Sequence, residues 1–356
     1  MPWPSGRSLL LAILLAAPVA ANGAAVRDHL YGVRALGADD AWAVGTFGSI
    51  YRTTDAGDSW TPVESGSKQP LFSIDFAPGG RRGWAVGKSG VIVATADGGK
   101  TWQAQQSPIA ADKHLFKVKA LDERTAWAVG DWGAIATTRD GGATWEDRSL
   151  GTITVQQDEA PGRTTNVITD DVILYDVSFP DAQHGYVCGE FGTVLATSDG
   201  GATWRMRRTP TEKTLFGLHF TTPRTGWAVG IDGLVLRTDD GGASWTVQHG
   251  MPAVAAVDEI SFVETMENPG IYAVHVEGQL GVAVGDVGML LVSRDGGRSW
   301  VRRELPNGDK LAWVRDVSLV PGERGFVVGS NGFTAVVAGD HVAPPAGSVR
   351  DARGTE

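Results

Sequence analysis

The stretch Ala126–Trp145, AWAVGDWGAIATTRDGGATW, decides the fold because it recurs along nearly the whole chain. Further copies are AWAVGTFGSIYRTTDAGDSW (Ala41–Trp60), GWAVGKSGVIVATADGGKTW (Gly83–Trp102) and GYVCGEFGTVLATSDGGATW (Gly185–Trp204). GWAVGIDGLVLRTDDGGASW (Gly226–Trp245) and GVAVGDVGMLLVSRDGGRSW (Gly281–Trp300) follow, and a seventh copy, GFVVGSNGFTAVVAGD (Gly325–Asp340), keeps only the first half. The second position of each copy falls at Trp42, Trp84, Trp127, Tyr186, Trp227, Val282 and Phe326. Undisturbed steps are a little over forty residues, the period of a propeller blade.

Each repeat holds four short apolar runs. LFSIDFAPGGRRGWAVG (Leu71–Gly87) contains two, separated by Pro, Gly and charge, and VIVATADGGKTWQAQ (Val91–Gln105) contains two more around Asp-Gly-Gly. Short β-branched and aromatic runs punctuated by turn residues read as a four-stranded antiparallel meander. Solenoid repeats of this length are helical pairs, which the composition excludes. The expected fold is therefore all-β, a seven-bladed propeller of four-stranded antiparallel blades. Its blades begin near residues 29, 71, 115, 173, 215, 258 and 313, within a domain spanning 25–343. Stacked blades bury both faces of each sheet, which explains near-continuous apolar strands. Each large side chain buried between blades contributes roughly 1.5–3 kcal/mol, and the chain has 13 Trp.

The T-x-D-x-G-x-[ST]-W segment is an Asp-box. Its carboxylates (Asp55, Asp97, Asp140, Asp199, Asp239 and Asp295) are expected to accept backbone N–H groups across the turn between third and fourth strands. The glycine two residues on supplies positive φ without steric cost. Six equivalent copies cannot all be one active site, so their reading is structural.

Residues 1–24 read as a secretory signal peptide, with Arg7, an apolar run from Leu9 to Ala17 and small residues before cuts after Ala21 or Ala24. The expectation is an exported protein, periplasmic or secreted, peripheral to a membrane at most and monomeric. Cys188 is the only cysteine, so no intramolecular disulfide exists and the fold rests on packing. A formal charge of −10 and a pI near 5.2 make nucleic acid a poor partner. No metal or cofactor motif is present: there is no HExxH, paired CxxC or GxSxG, and Gly87-Lys88-Ser89 is a repeat turn and not a phosphate loop.

Two departures from the period stand out. EDRSLGTITVQQDEAPGRTTNVITDDVI separates Trp145 from Leu174, and ETMENPGIYAVHVEGQL lies between Val263 and Gly281, where it is expected to split the first two strands of blade six. Long excursions from a rigid repeat often carry binding surfaces. The first holds Asp158, Glu159, Asp170 and Asp171. Residues 344–356 read as a disordered tail.

Once per blade, the turn between second and third strands (G-x-x-G) reaches the face where binding surfaces would lie. Its variable residues include Phe47, Lys88, Asp131, Trp132, Glu190, Phe191, Asp232 and Asp286, the candidate partner-binding set. Acids beside aromatics suit a basic protein partner or a carbohydrate.

WAVG-x-x-G together with Asp-boxes resembles the photosystem II stability/assembly factor-like family, a branch of the bacterial neuraminidase repeat proteins. The resemblance runs from Leu30 to about Asp340. It implies a non-catalytic scaffold or assembly factor acting outside the cytoplasm on an envelope or membrane protein complex. The alternative is a carbohydrate-binding or glycoside-hydrolysing Asp-box propeller, sialidase- or xyloglucanase-like. A sialidase needs a central arginine cluster; the turns of that face offer Lys88 and no Arg.

Overall fold

Every repeat hydrogen-bonds first to itself. In the computed structural model, which describes residues 26–156, 171–250, 268–305, 313–339 and 341–344, seven separate sheets each run in chain order from an innermost to an outermost strand. The segment read as a signal peptide, the tail from 345 and Asp158, Glu159 and Asp170 lie outside the described residues. The protein is a seven-bladed β-propeller. In blade three the strands are Leu115–Ala120, Ala126–Gly130, Ile135–Thr138 and Glu146–Asp147, all antiparallel. Blade four adds a fifth strand: Val155–Gln156, from the first insertion, lies parallel to the outer strand Trp204–Arg207. The outer strand of blade seven is His341–Ala343.

The position of blade six corrects the sequence reading. Its innermost strand is Ile271–Glu277, joined to Leu280–Gly285 by a tight turn with Gly278 at φ +60°, and not a strand near 258. The extra residues therefore precede the blade and do not split it. Residues near 258 fall outside those described.

Aromatic trios fill three of the wedges between neighbouring blades. Trp42 meets Phe76 and Trp102 of the next blade with ring centroids 5.4 and 6.1 Å away. Trp127 meets Phe179 and Trp204 in the same way at 5.7 and 5.9 Å. In blade four Tyr186 replaces Trp and stacks on Phe220 at 3.5 Å. The circle closes where Phe326 of blade seven meets Trp60 of blade one at 6.2 Å. Close approach demands glycine: a Cβ on Gly201 (φ +81°) would lie 2.4 Å from the Trp127 ring, and one on Gly99 would lie 2.1 Å from Trp42.

The Asp-boxes knit the turns on the outer side. Thr138 Oγ1 donates to Asp140 Oδ1 (2.9 Å) and accepts the Gly142 N–H (2.8 Å), while Asp140 accepts the N–H and hydroxyl of Thr144 at 2.9 and 2.6 Å. The Thr101 and Thr144 bonds hold the Asp97 and Asp140 carboxyls down at about 2. In the fifth repeat the box residue is Asp240 and not Asp239. Thr238 bonds Asp240, which takes the Ser244 N–H and hydroxyl, while Asp239 pairs outward with Arg237 at 2.7 Å. Two adjacent acids hid this, and the T-x-D spacing selects the second.

Gly201→Ala should destabilise by about 2–4 kcal/mol, combining left-handed backbone strain with displacement of Trp127. Gly37→Ala, whose Cβ would meet nothing within 4 Å, should be near neutral. Urea unfolding midpoints compare the two.

Candidate functional site at the propeller axis

The innermost strands line the axis, and one edge of each has no sheet partner. Buried backbone donors left unpaired there would be costly. In blades one, three, five and seven, side chains of the preceding blade supply acceptors. Asp75 and Ser73 accept the N–H groups of Ala120 and Val118 at 3.0 and 3.2 Å. Asp176 and Ser178 serve Leu218 and Phe220, both at 3.1 Å. Asp316 and Ser318 serve Val33 and Ala35, both at 3.0 Å, and so tie blade seven to blade one. His275 Nδ1 accepts the Leu319 N–H at 3.2 Å, and His219 Nε2 donates to the Val276 carbonyl at 3.1 Å.

Cations balance these carboxylates. Arg34 Nε and Lys119 Nζ lie 2.9 and 3.3 Å from Asp75, and Lys117 Nζ lies 3.3 Å from Asp316. Burial opposes ionisation of Asp75, but Lys119 and Arg34 more than offset it and its carboxyl sits below the ordinary value. Asp176 has only a share of Lys117, and burial pushes it up to about 6. Burial, with Lys119 nearby, drives His219 down to about 3; His275, 4.3 Å away ring to ring, is also held neutral by burial and by His219.

Above this polar tier lies a collar absent from the sequence reading. Every innermost strand begins with a bulge. Leu115 pairs with Gly130 and Lys117 with Val129, so Phe116 is left out of register. The equivalent residues are Tyr31, Phe72, Tyr175, Phe216, Tyr272 and Arg315. Bulges re-aim side chains, often at functional sites. Here six aromatic rings follow one another around the axis, with successive centroids 5.5, 5.7, 5.6, 5.1 and 5.3 Å apart from Tyr31 to Tyr272. The Arg315 guanidinium lies 4.3 Å from the Tyr272 ring, and Trp313 stacks on Tyr31 at 5.7 Å, closing the circle. The collar surrounds a cavity of about 260 Å3 floored by Lys117, Asp176 and Asp316. Among the described residues no carboxylate pairs with Arg315.

The G-x-x-G turns open on the collar's side, since Gly130 pairs with Leu115, the residue before Phe116. They surround it, but their acids are engaged. Asp131 accepts the His114 N–H (2.9 Å), Glu190 the Ile173 N–H (3.0 Å) and Asp286 the hydroxyl of collar residue Tyr272 (2.6 Å). Asp232 pairs with Lys213 at 2.8 Å. Phe47, Phe191 and Trp132 project outward, exposed by 78, 64 and 46%. In blade two Ser89 holds this position and Lys88 precedes it in the turn.

A family model described as "Photosynthesis system II assembly factor YCF48" matches residues 59–153, 154–215 and 207–311. The chain belongs to this family. Among solved structures, "YCF48 bound to D1 peptide" superposes with a TM-score of 0.64 at 19% identity, covering 90% of this chain and 96% of that one. YCF48 from Cyanidioschyzon merolae gives 0.64 at 21%, covering 88% and 96%. An ancestral GH74 enzyme shares the fold at 0.61 and 12%, over 89% of this chain and 45% of that one. No curated protein matches the sequence.

Asp176→Asn keeps an acceptor for Leu218 and removes a carboxylate whose folded pKa is raised. A raised acid destabilises above its folded pKa, and the penalty fades as pH falls toward the unfolded value. The variant should therefore be more stable than the parent above pH 6, on the order of 2 kcal/mol, with the gap closing near pH 4. Denaturant titrations at pH 7.5 and 4 check this.

Proposed function

We propose that the protein is an exported, monomeric, non-catalytic assembly factor that holds a segment of a partner protein, part of an envelope or membrane complex, at the collar of the propeller axis. One observation carries the reading: six of seven bulge positions present an aromatic ring to a common cavity, and the seventh presents a guanidinium. Rigid aromatic and Arg side chains around a cavity are what binding hot spots are made of. Membership of an assembly-factor family supports it, as does a similar structure that carries a D1 peptide. The rim residues Phe47, Lys88, Asp131, Trp132, Glu190, Phe191, Asp232 and Asp286 complete the face.

The channel acids favour scaffolding over hydrolysis. A glycosidase requires two carboxyl groups free to act on a substrate, roughly 5–10 Å apart. Asp75, Asp176 and Asp316 instead accept backbone N–H groups, and Asp75 and Asp316 each lie beside a cation.

The test is capture from detergent-solubilised envelope by the immobilised protein, beside a glycan array. Phe116→Ser with Phe216→Ser should lower partner retention at least tenfold, the scale of one hot spot of about 2 kcal/mol. Asp131→Asn, Glu190→Gln, Asp232→Asn and Asp286→Asn together preserve acceptors and report on the rim. Specific glycan binding with no protein retained, or unchanged capture by the collar variant, would defeat the reading.

A further inference from the structure

The second variable residue of every G-x-x-G turn adopts left-handed backbone: Phe47, Ser89, Trp132, Phe191, Asp232, Val287 and Asn331 have φ between +49 and +59°. Asn, Asp and Gly tolerate that region best, and blades five and seven comply with Asp232 and Asn331. Blades one, three and four place Phe, Trp and Phe there, and Ile231 of blade five is also exposed. These turns accept both backbone strain and exposed apolar surface at one repeated position. Packing does not explain it, because the side chains point away from the blades.

From this geometry we infer that Phe47, Trp132 and Phe191 form a ring of feet that rests the propeller face on a zwitterionic lipid surface. The tips belong to the same turn of the same repeat, so the rotational symmetry of the propeller sets them at one height, suited to a plane and not to a groove. Phe and Trp with nearby lysines have the composition of a membrane interface: Lys113 Nζ lies 5.7 Å from the Trp132 ring, and Lys88 occupies the intervening blade. Of the acids in these turns Asp232 is paired with Lys213, while Asp131, Glu190 and Asp286 accept neutral N–H or O–H groups, which leaves a carboxylate's charge in place and sets the rim against anionic lipid. The six Asp-box carboxylates lie on the opposite face. The chain's charge of −10 disfavours anionic lipid, which selects the zwitterionic surface.

The collar opens on this same face, so the inference rests on the proposed function's reading that the held segment belongs to a membrane complex. The test is co-sedimentation of the full chain with phosphatidylcholine vesicles, and with vesicles enriched in phosphatidylserine. Phe47→Asn, Trp132→Asn and Phe191→Asn together should reduce the vesicle-bound fraction at least tenfold. The variant should fold, because Asn331 and Ser89 already occupy the equivalent positions, and its thermal midpoint should equal or exceed the parent's. The collar variant Phe116→Ser/Phe216→Ser should sediment like the parent. Parent protein that stays in the supernatant, a triple variant that sediments equally, or rim-dependent capture of a protein without vesicle binding would overturn the inference. Stronger binding to the phosphatidylserine vesicles would overturn its zwitterionic assignment.

Discussion

The unpaired inner edge of each innermost strand is the constraint on which the centre of this molecule depends. A blade leaves its buried edge unpaired at the axis, where seven strand edges face one another across a narrow channel. In blades one, three, five and seven, Asp, Ser or His at alternate positions of the preceding blade accept from those donors. Carboxylates placed there for hydrogen bonding must then be balanced, which explains Arg34, Lys117 and Lys119 in a channel that otherwise could be apolar. Asp316 and Ser318 make the same bonds to blade one that Asp75 and Ser73 make to blade three. Among the described residues the ring thus closes through side chains, wedge packing and a Gly332 N–H to Asp28 carbonyl bond, with no strand exchanged between its first and last blades.

That economy has a functional consequence. Ser73, Asp75, Asp176, Ser178, His275, Asp316 and Ser318 of the inner strands are committed to architecture, and so are the Asp-boxes and the wedge tryptophans. The bulge residue is different. It leaves the ladder, makes no sheet hydrogen bond of register, and can be chosen by what lies in the cavity. The turn tips are the other such position, fixed in backbone by the repeat and open in side chain.

Much of the fold was legible because the constraints repeat. Trp42, Trp84 and Trp127 mark the same wedge three times, and Thr–Asp–Gly spacing marks the same turn five times, with Ser293 in place of Thr in a sixth. The collar was not legible for the same reason. Tyr31, Phe72 and Phe116 follow Leu30, Leu71 and Leu115, and an aromatic beside a leucine in an apolar run looks like core. Only the register slip turns it to the axis. A signal did exist: Leu or Ile followed by Phe or Tyr opens six of the inner strands. Blade six escaped because Ile271–Glu277 sits inside what the period marks as an insertion. Asp239 was confused with Asp240 because both are acids and only one is two residues from Thr238.

A collar of six aromatic rings alone would hold a ligand without orienting it, since six near-equivalent walls offer six near-equivalent poses. Arg315 breaks that symmetry. It takes the place an aromatic holds in every other blade, stays planar, and covers Tyr272 at 4.3 Å, so the wall remains continuous for packing. At the same time it brings five directional donors to one side of the cavity. Asp176 and Asp316, by contrast, are turned to Leu218 and Val33 and sit a tier deeper. A bound segment therefore finds apolar contact in most directions and a strong polar direction in one. Affinity and orientation come from different residues of the same bulge position.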